Sequence, residues 1–147
     1  MIKNENLTIK NMRKIKKIAK MACKVLKLKS IEIRFSYEND FYFSISKKTG
    51  KGFLRIDYLY LLQLIKISTE LEVNKMYNLN SINKRLKFAL YHELGHYLQW
   101  QRHTDFFINE YVKEKNRKDK LSPKEYRQLK LEKIADKIAL YLLNKNL

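Results

Sequence analysis

His92, Glu93 and His96 stand in the order His-Glu-x-x-His inside a segment with helical periodicity. Four residues make about one turn, so both imidazoles leave one helix face and can meet one zinc ion at about 2.0–2.1 Å. Glu93 follows the first histidine at the margin of that face, within reach of a water on the metal but not itself a ligand. Zinc lowers the pKa of such a water and polarises a carbonyl. A carboxylate placed there takes the water's proton and delivers it to a leaving nitrogen. The chemistry expected is amide hydrolysis. Gly95 sits between the ligands, where glycine weakens a helix by about 1 kcal/mol relative to alanine, and it implies a close neighbour. The chain has only three histidines, and two of them in this arrangement point to a metal.

A catalytic zinc takes three protein ligands and keeps one position open. The third ligand comes from Glu132 or from His103, seven residues past His96. Glu132 opens Glu132-Lys133-Ile134-Ala135-Asp136, which sets two carboxylates on one face of a predicted helix. The rest of that face is apolar, so the pair needs a partner. Glu132 is the favoured ligand, with Asp136 accepting a hydrogen bond from the far nitrogen of a ligand histidine. His103 falls where the first helix is ending, and its reach depends on an unspecified turn. It remains an alternative ligand or a donor to the oxyanion. Tyr91, Tyr97 and Tyr111 are further candidates for that donor, and the residues do not choose among them. Trp100 and Phe106-Phe107 read as core.

The elements that must position these groups follow from the periodicity. Leu7 to Leu28 predicts an amphipathic helix, with Met12, Ile15, Ala19, Ala22 and Leu26 as its buried stripe and a basic ridge beside it. Cys23 in that helix reads as a small packed hydrophobe. From Ile31 the period changes to two, through Phe35 and Tyr37. Asn39-Asp40 supplies turn chemistry, and Phe41, Phe43 and Ile45 resume the alternation, which predicts a hairpin. A turn at Lys47–Gly52 leads to a short strand through Phe53 and Ile56. Tyr58 to Val73 is expected as one helix, capped by Asp57. Ser81 opens the His-Glu-x-x-His helix, which runs to about Trp100, and Phe106 to Lys115 forms another. Ser122-Pro123-Lys124-Glu125 has the form of a capping box with proline at the first helical position, and predicts the start of the last helix. The expected fold class is α+β: an N-terminal helix, a small antiparallel or mixed sheet, the motif helix and a C-terminal helix carrying the Glu ligand.

Tyr91-His92-Glu93-Leu94-Gly95-His96, followed by Glu132-xx-Ala135-Asp136-xx-Ala139-xx-Leu142-Leu143, resembles the ImmA/IrrE family of metallopeptidases. The likeness covers the C-terminal half, from Ser81 onward, and departs at Ile138, where that family usually has an aromatic. It implies a minimal zincin-like domain with zinc held by His92, His96 and Glu132 and with Glu93 as base. It also implies a protein or peptide substrate of the transcriptional-repressor class, bound to DNA, and an origin in a phage or mobile element. Other zinc families fit less well. The extended His-Glu-x-x-His-x-x-Gly-x-x-His motif would need glycine and histidine where this chain has Gln99 and Arg102. SprT-like proteases take a later histidine as third ligand, a role open here only to His103.

The bulk properties bound the rest. At 147 residues the chain is expected to form a single domain spanning 1–147. Its formal net charge of +17 implies attraction to polyanions, nucleic acid among them. The excess is lysine-dominated, which a solvated surface explains equally well. A single cysteine permits no intrachain disulfide, and the most apolar stretch, Tyr58 to Ile65, is shorter than a membrane span requires. Cytoplasmic location without membrane partners is the expectation, and oligomeric state is not specified. Two functions are weighed: a zinc-dependent endopeptidase, and a nucleic-acid- or regulator-binding protein whose zinc site does no catalysis.

Overall fold

The computed structural model describes residues 2–29, 31–46, 48–67 and 72–145, with side chains described for 9–29, 31–46, 48–65 and 73–145. Among the described residues there are seven α-helices and three strands. Helix α1 (Ile2–Val25) starts earlier and stops sooner than its apolar stripe suggests. Ile15, Ala19, Ala22 and Leu26 are buried as the periodicity requires, together with Ile18 and Cys23.

Strands β1 (Glu32–Phe35), β2 (Phe41–Ile45) and β3 (Gly52–Ile56) form a mixed sheet in the order β1-β3-β2. The hairpin expected between β1 and β2 is therefore absent: β3 lies between them, parallel to β1 and antiparallel to β2. Alternation shows that a strand is half-buried, not which strand it joins. The 36–40 connection instead passes over the end of β3. The Ser36 N–H donates to the Ile56 carbonyl at 2.9 Å, and the Asp57 N–H to the Asp40 carbonyl at 2.8 Å. Asp57 then ties the connection to the next helix, accepting from the N–H groups of Asn39 (2.9 Å) and Tyr60 (3.2 Å). The true hairpin joins β2 to β3, where Gly50 takes φ +68°, a value that a residue with a β-carbon adopts only at a cost.

Of the segment expected as one helix from Tyr58 to Val73, Tyr58–Ile67 is helix α2 and its last two residues open α3 (Glu72–Tyr77); residues 68–71 lie outside the described set. Helix α4 (Ile82–Arg102) opens on Ser81, whose hydroxyl accepts the Lys84 N–H. It is buried on several sides, through Leu86, Phe88, Leu90, Tyr91, Leu94, Tyr97 and Leu98, which makes it the centre of the molecule. Helix α5 (Thr104–Lys115) follows.

The Ser122 capping box forms as predicted, but it starts only a single turn, α6 (Pro123–Tyr126). The last helix, α7 (Lys130–Asn144), begins separately. Its N-terminus is capped from another element: the Leu131 N–H donates to Oε1 of the buried Glu114 at 3.0 Å. A local box signals where a helix can start, not how far it runs, and here the chain must turn between Arg127 and Leu129 to lay α7 along α4. Among the described residues no helix is long and apolar enough to cross a membrane.

Candidate metal centre

The site is made by the crossing of α4 and α7. Gly95 and Ala135 form the point of contact: a β-carbon on Gly95 would lie 3.0 Å from Ala135 Cα. The close neighbour implied by that glycine is thus the backbone of α7. His92 lies three residues before this point on α4 and His96 one residue after it, as Glu132 and Asp136 do about Ala135 on α7, so the crossing brings all four together.

His92 Nε2 is 2.7 Å from Glu132 Oε2, and His96 Nε2 is 3.4 Å from Glu132 Oε1. One donor atom from each of His92, His96 and Glu132 falls within 4.8 Å of the others. All three side chains are nearly buried, at 10%, 12% and 4% exposure. Two imidazole nitrogens and a carboxylate so arranged can hold a metal ion. The donor set suits zinc.

Both histidines are oriented through their other nitrogen. His92 Nδ1–H donates to Asp136 Oδ1 at 2.8 Å, the role expected of Asp136. His96 Nδ1–H donates to Gln99 Oε1 at 3.0 Å, and Gln99 is itself fixed because its Nε2 donates to the Leu131 carbonyl at 3.0 Å. Each Nε2 is thereby left to face the carboxylate, the arrangement in which outer hydrogen bonds select the ligating nitrogen. Asp136 is fully buried and also accepts from the Tyr77 hydroxyl at 3.0 Å and from the Arg127 guanidinium.

The electrostatics follow from this packing. Burial opposes a charge on His92, but its bonds to Asp136 and Glu132 outweigh that and raise its pKa to about 9. Burial likewise opposes ionisation of Glu132, yet the bonds and charges of His92 and His96 hold it far below the carboxylate range. A divalent ion held here would take the place of the proton that His92 directs at Glu132, because metal ligands bind deprotonated.

Glu93 borders two cavities that meet beside Glu132. One, of about 220 Å³, has apolar walls from Leu61, Leu64, Val73 and Phe88. The other, of about 510 Å³, runs between β2 and the aromatic residues Phe107, Tyr111 and Tyr126. The base expected from the motif is therefore at the cleft, not in the core.

Several expectations change. His103 is exposed at the junction of α4 and α5 and lies outside the group of donors, because seven residues of helix carry it about 10 Å along the axis from His96. Tyr91 and Tyr97 are fully buried and line neither of the cavities that Glu93 borders, so neither stands at the cleft as an oxyanion donor would. Tyr111 does line the cleft. Phe107 packs against His96, ring centroids 6.1 Å apart, and is cleft wall, while Phe106 is exposed; neither is core.

The sequence reading missed four groups. Tyr126 lines both cavities and donates its hydroxyl proton to Glu132; burial and the Glu132 charge push its pKa well up. Lys118 lies 4.0 Å from Glu132 Oε1, over the rings of Tyr111 and Tyr126. Arg127 and Tyr77 hold Asp136. Tyr77 and Lys118 come from segments with no motif, and Tyr126 and Arg127 follow the Ser122 capping box, which signals a helix start and no metal chemistry. A fifth, Gln99, was within reach, since it lies three residues past His96 on the same helix face.

No family model matches this chain, nor does any curated protein or solved structure.

Proposed function

We propose that this protein is a zinc-dependent endopeptidase of the minimal zincin type, similar to the ImmA/IrrE metallopeptidases. The observation that carries the reading is the convergence of His92, His96 and Glu132 on one point beside a cleft bordered by Glu93. Zinc, when bound there, supplies Lewis acidity toward the scissile carbonyl and acidifies a water. The protein's own groups do the rest. Asp136 and Gln99 keep both imidazoles in the tautomer that presents Nε2. The Glu93 carboxylate accepts the proton of the attacking water and passes it to the leaving amide nitrogen. The Tyr126 hydroxyl, held at Glu132, is the donor for the developing oxyanion. The substrate is a protein or peptide, with a DNA-bound repressor as the class suggested by the resemblance, and the place of action is the cytoplasm.

Replacing Glu93 by Gln tests this reading. Cleavage of a broad peptide library or of candidate repressors should vanish while fold and zinc content persist. Cleavage that survives in Glu93→Gln would remove Glu93 as base.

A second reading is a nucleic-acid- or regulator-binding protein whose metal site does no catalysis. It is favoured by one observation: no acidic residue occurs from Leu7 to Ile31, so beyond Glu5 near its start α1 carries lysine and arginine with no acid of its own. Under that reading wild type and Glu93→Gln behave alike, and DNA affinity falls steeply with salt.

A further inference from the structure

The sheet has two edges, and they differ. The edge formed by β2 walls the cleft. The opposite edge, β1, pairs only with β3 among the described residues, so one side of its backbone has no strand partner. Beside it runs a groove of about 600 Å³ between β1 and α1. Leu28, Ile31 and Ile33 line it and are only partly buried. On the helix side stand Lys16, Lys20 and Lys24, all exposed and none paired with an acid among the described residues. The Lys16 ammonium leans to 5.8 Å from the Phe35 ring, directly over β1. Across the groove Glu32 is the only acid among the described residues that line it, and it is already 3.0 Å from Arg34.

We infer that this groove docks an extended acidic segment of a partner protein, added as a fourth strand beside β1. The open backbone edge calls for a strand. The apolar floor calls for alternate apolar side chains. The unopposed lysines call for carboxylates between them. The spacings agree: residues four apart on a helix advance about 6 Å, and residues two apart on a strand advance about 6.6 Å. Acidic side chains at every second residue of an added strand running along α1 would therefore recur at nearly the spacing of Lys16, Lys20 and Lys24. The same lysines argue against a second copy of this chain, since edge-to-edge pairing would bring two such rows together, and charge beside an open edge is a common bar to self-association. Because β1 and β2 are opposite edges of the sheet, a segment held here leaves the metal cleft free. The surface acts as a recruiting site whether or not the protein cleaves what it recruits.

The test uses the full chain and a fluorescein-labelled heptapeptide that alternates glutamate with valine. Anisotropy should report saturable binding, and hydrogen exchange should slow at the amides of Glu32–Phe35. A triple variant, Lys16→Glu, Lys20→Glu and Lys24→Glu, should weaken binding by about tenfold or more. The same charge change at Lys115, Lys124 and Lys145, also exposed, should alter it by less than about twofold. Circular dichroism establishes that both variants fold. Absence of binding overturns the proposal. So does equal binding of a peptide of the same composition with glutamates and valines segregated, or protection that maps away from β1. Duplex DNA bound more tightly than the peptide through the same three lysines would reassign the ridge to phosphate.

Discussion

Gly95 meets Ala135 with no space for a side chain between them: a β-carbon on Gly95 would lie 3.0 Å from the Cα and 3.2 Å from the carbonyl oxygen of Ala135. Because these are backbone atoms, they yield only if α7 moves away from α4. Gly95→Ala gains about 1 kcal/mol of helix propensity, but overpacking against a rigid neighbour costs about 1–3 kcal/mol. The expected result is a net loss of stability in urea unfolding and a zinc affinity weakened by about tenfold or more, since the ligands sit on both helices. Unchanged zinc affinity in a folded Gly95→Ala protein would mean the helix spacing does not set the site.

Asp136 offers a second handle on the same crossing. It takes bonds from His92, Tyr77 and Arg127 at once and is wholly buried. Asp136→Asn keeps an acceptor for His92 but leaves the Arg127 guanidinium without a counter-charge. Loss of such an orienting partner is expected to weaken zinc binding by about 10–100-fold. Loss of the buried charge pair is expected to cost about 3 kcal/mol. Tyr77→Phe removes only one neutral donor and should cost about 1 kcal/mol, with zinc content intact. Chemical denaturation with and without chelator separates the two effects.

How much of this was legible depends on where each signal lies along the chain. The motif helix and its metal chemistry are local: His92, Glu93 and His96 are fixed by turn geometry alone. Glu132 and Asp136 stood out because two carboxylates interrupt an apolar face. Tyr126, Arg127 and Lys118 could not be read, because they reach the site from a turn and a one-turn helix whose path is set by packing of α7 on α4. The sheet order failed for a related reason. Alternation marks β1 and β2 as half-buried strands, but insertion of β3 between them depends on the hydrogen bonds of Ser36, Asp40 and Asp57, which are long-range. The capping box at Ser122 was correct as chemistry and wrong as a boundary, since the buried Glu114 caps α7 from another helix.

Metal content decides among the candidate ligands. Elemental analysis should find about one zinc per chain in wild type and in His103→Ala, and essentially none in His96→Ala or Glu132→Ala. At free zinc about a thousandfold above Kd, binding adds about 4 kcal/mol to folding, so chelation should lower Tm markedly in wild type and leave the two ligand variants unmoved. Loss of zinc with His103→Ala, despite its exposed position, would overturn the assignment of Glu132.

Tyr111 and Tyr126 both line the cleft, and Tyr126 is the one whose hydroxyl is held at Glu132. In Tyr126→Phe the ring still packs against the lysine and arginine beside it, while the hydroxyl is lost. Cleavage should fall by about 10²–10³ in kcat, with KM and zinc content near wild type, as for other oxyanion donors. A change confined to KM would make Tyr126 a substrate-binding residue.

Cys23 yields a prediction remote from the metal. Its side chain packs between α1 and the sheet at 5% exposure, and burial raises its thiol from 9.0 to about 11, against a smaller lowering by the Ile31 N–H. Two consequences follow. The native protein should resist iodoacetamide at pH 8 and react promptly once unfolded in urea. Between pH 9.0 and about 11 the unfolded chain gives up the thiol proton while the folded chain keeps it, so the unfolded state binds fewer protons and stability falls as pH rises. The contribution is full below pH 9.0 and lost as pH passes about 11, on the order of 2–3 kcal/mol in all. Cys23→Ala carries no such group, so its unfolding free energy should decline less steeply across that window than that of wild type. Parallel declines in the two proteins, set by lysine and tyrosine titration alone, would show that the thiol is not held in its neutral form.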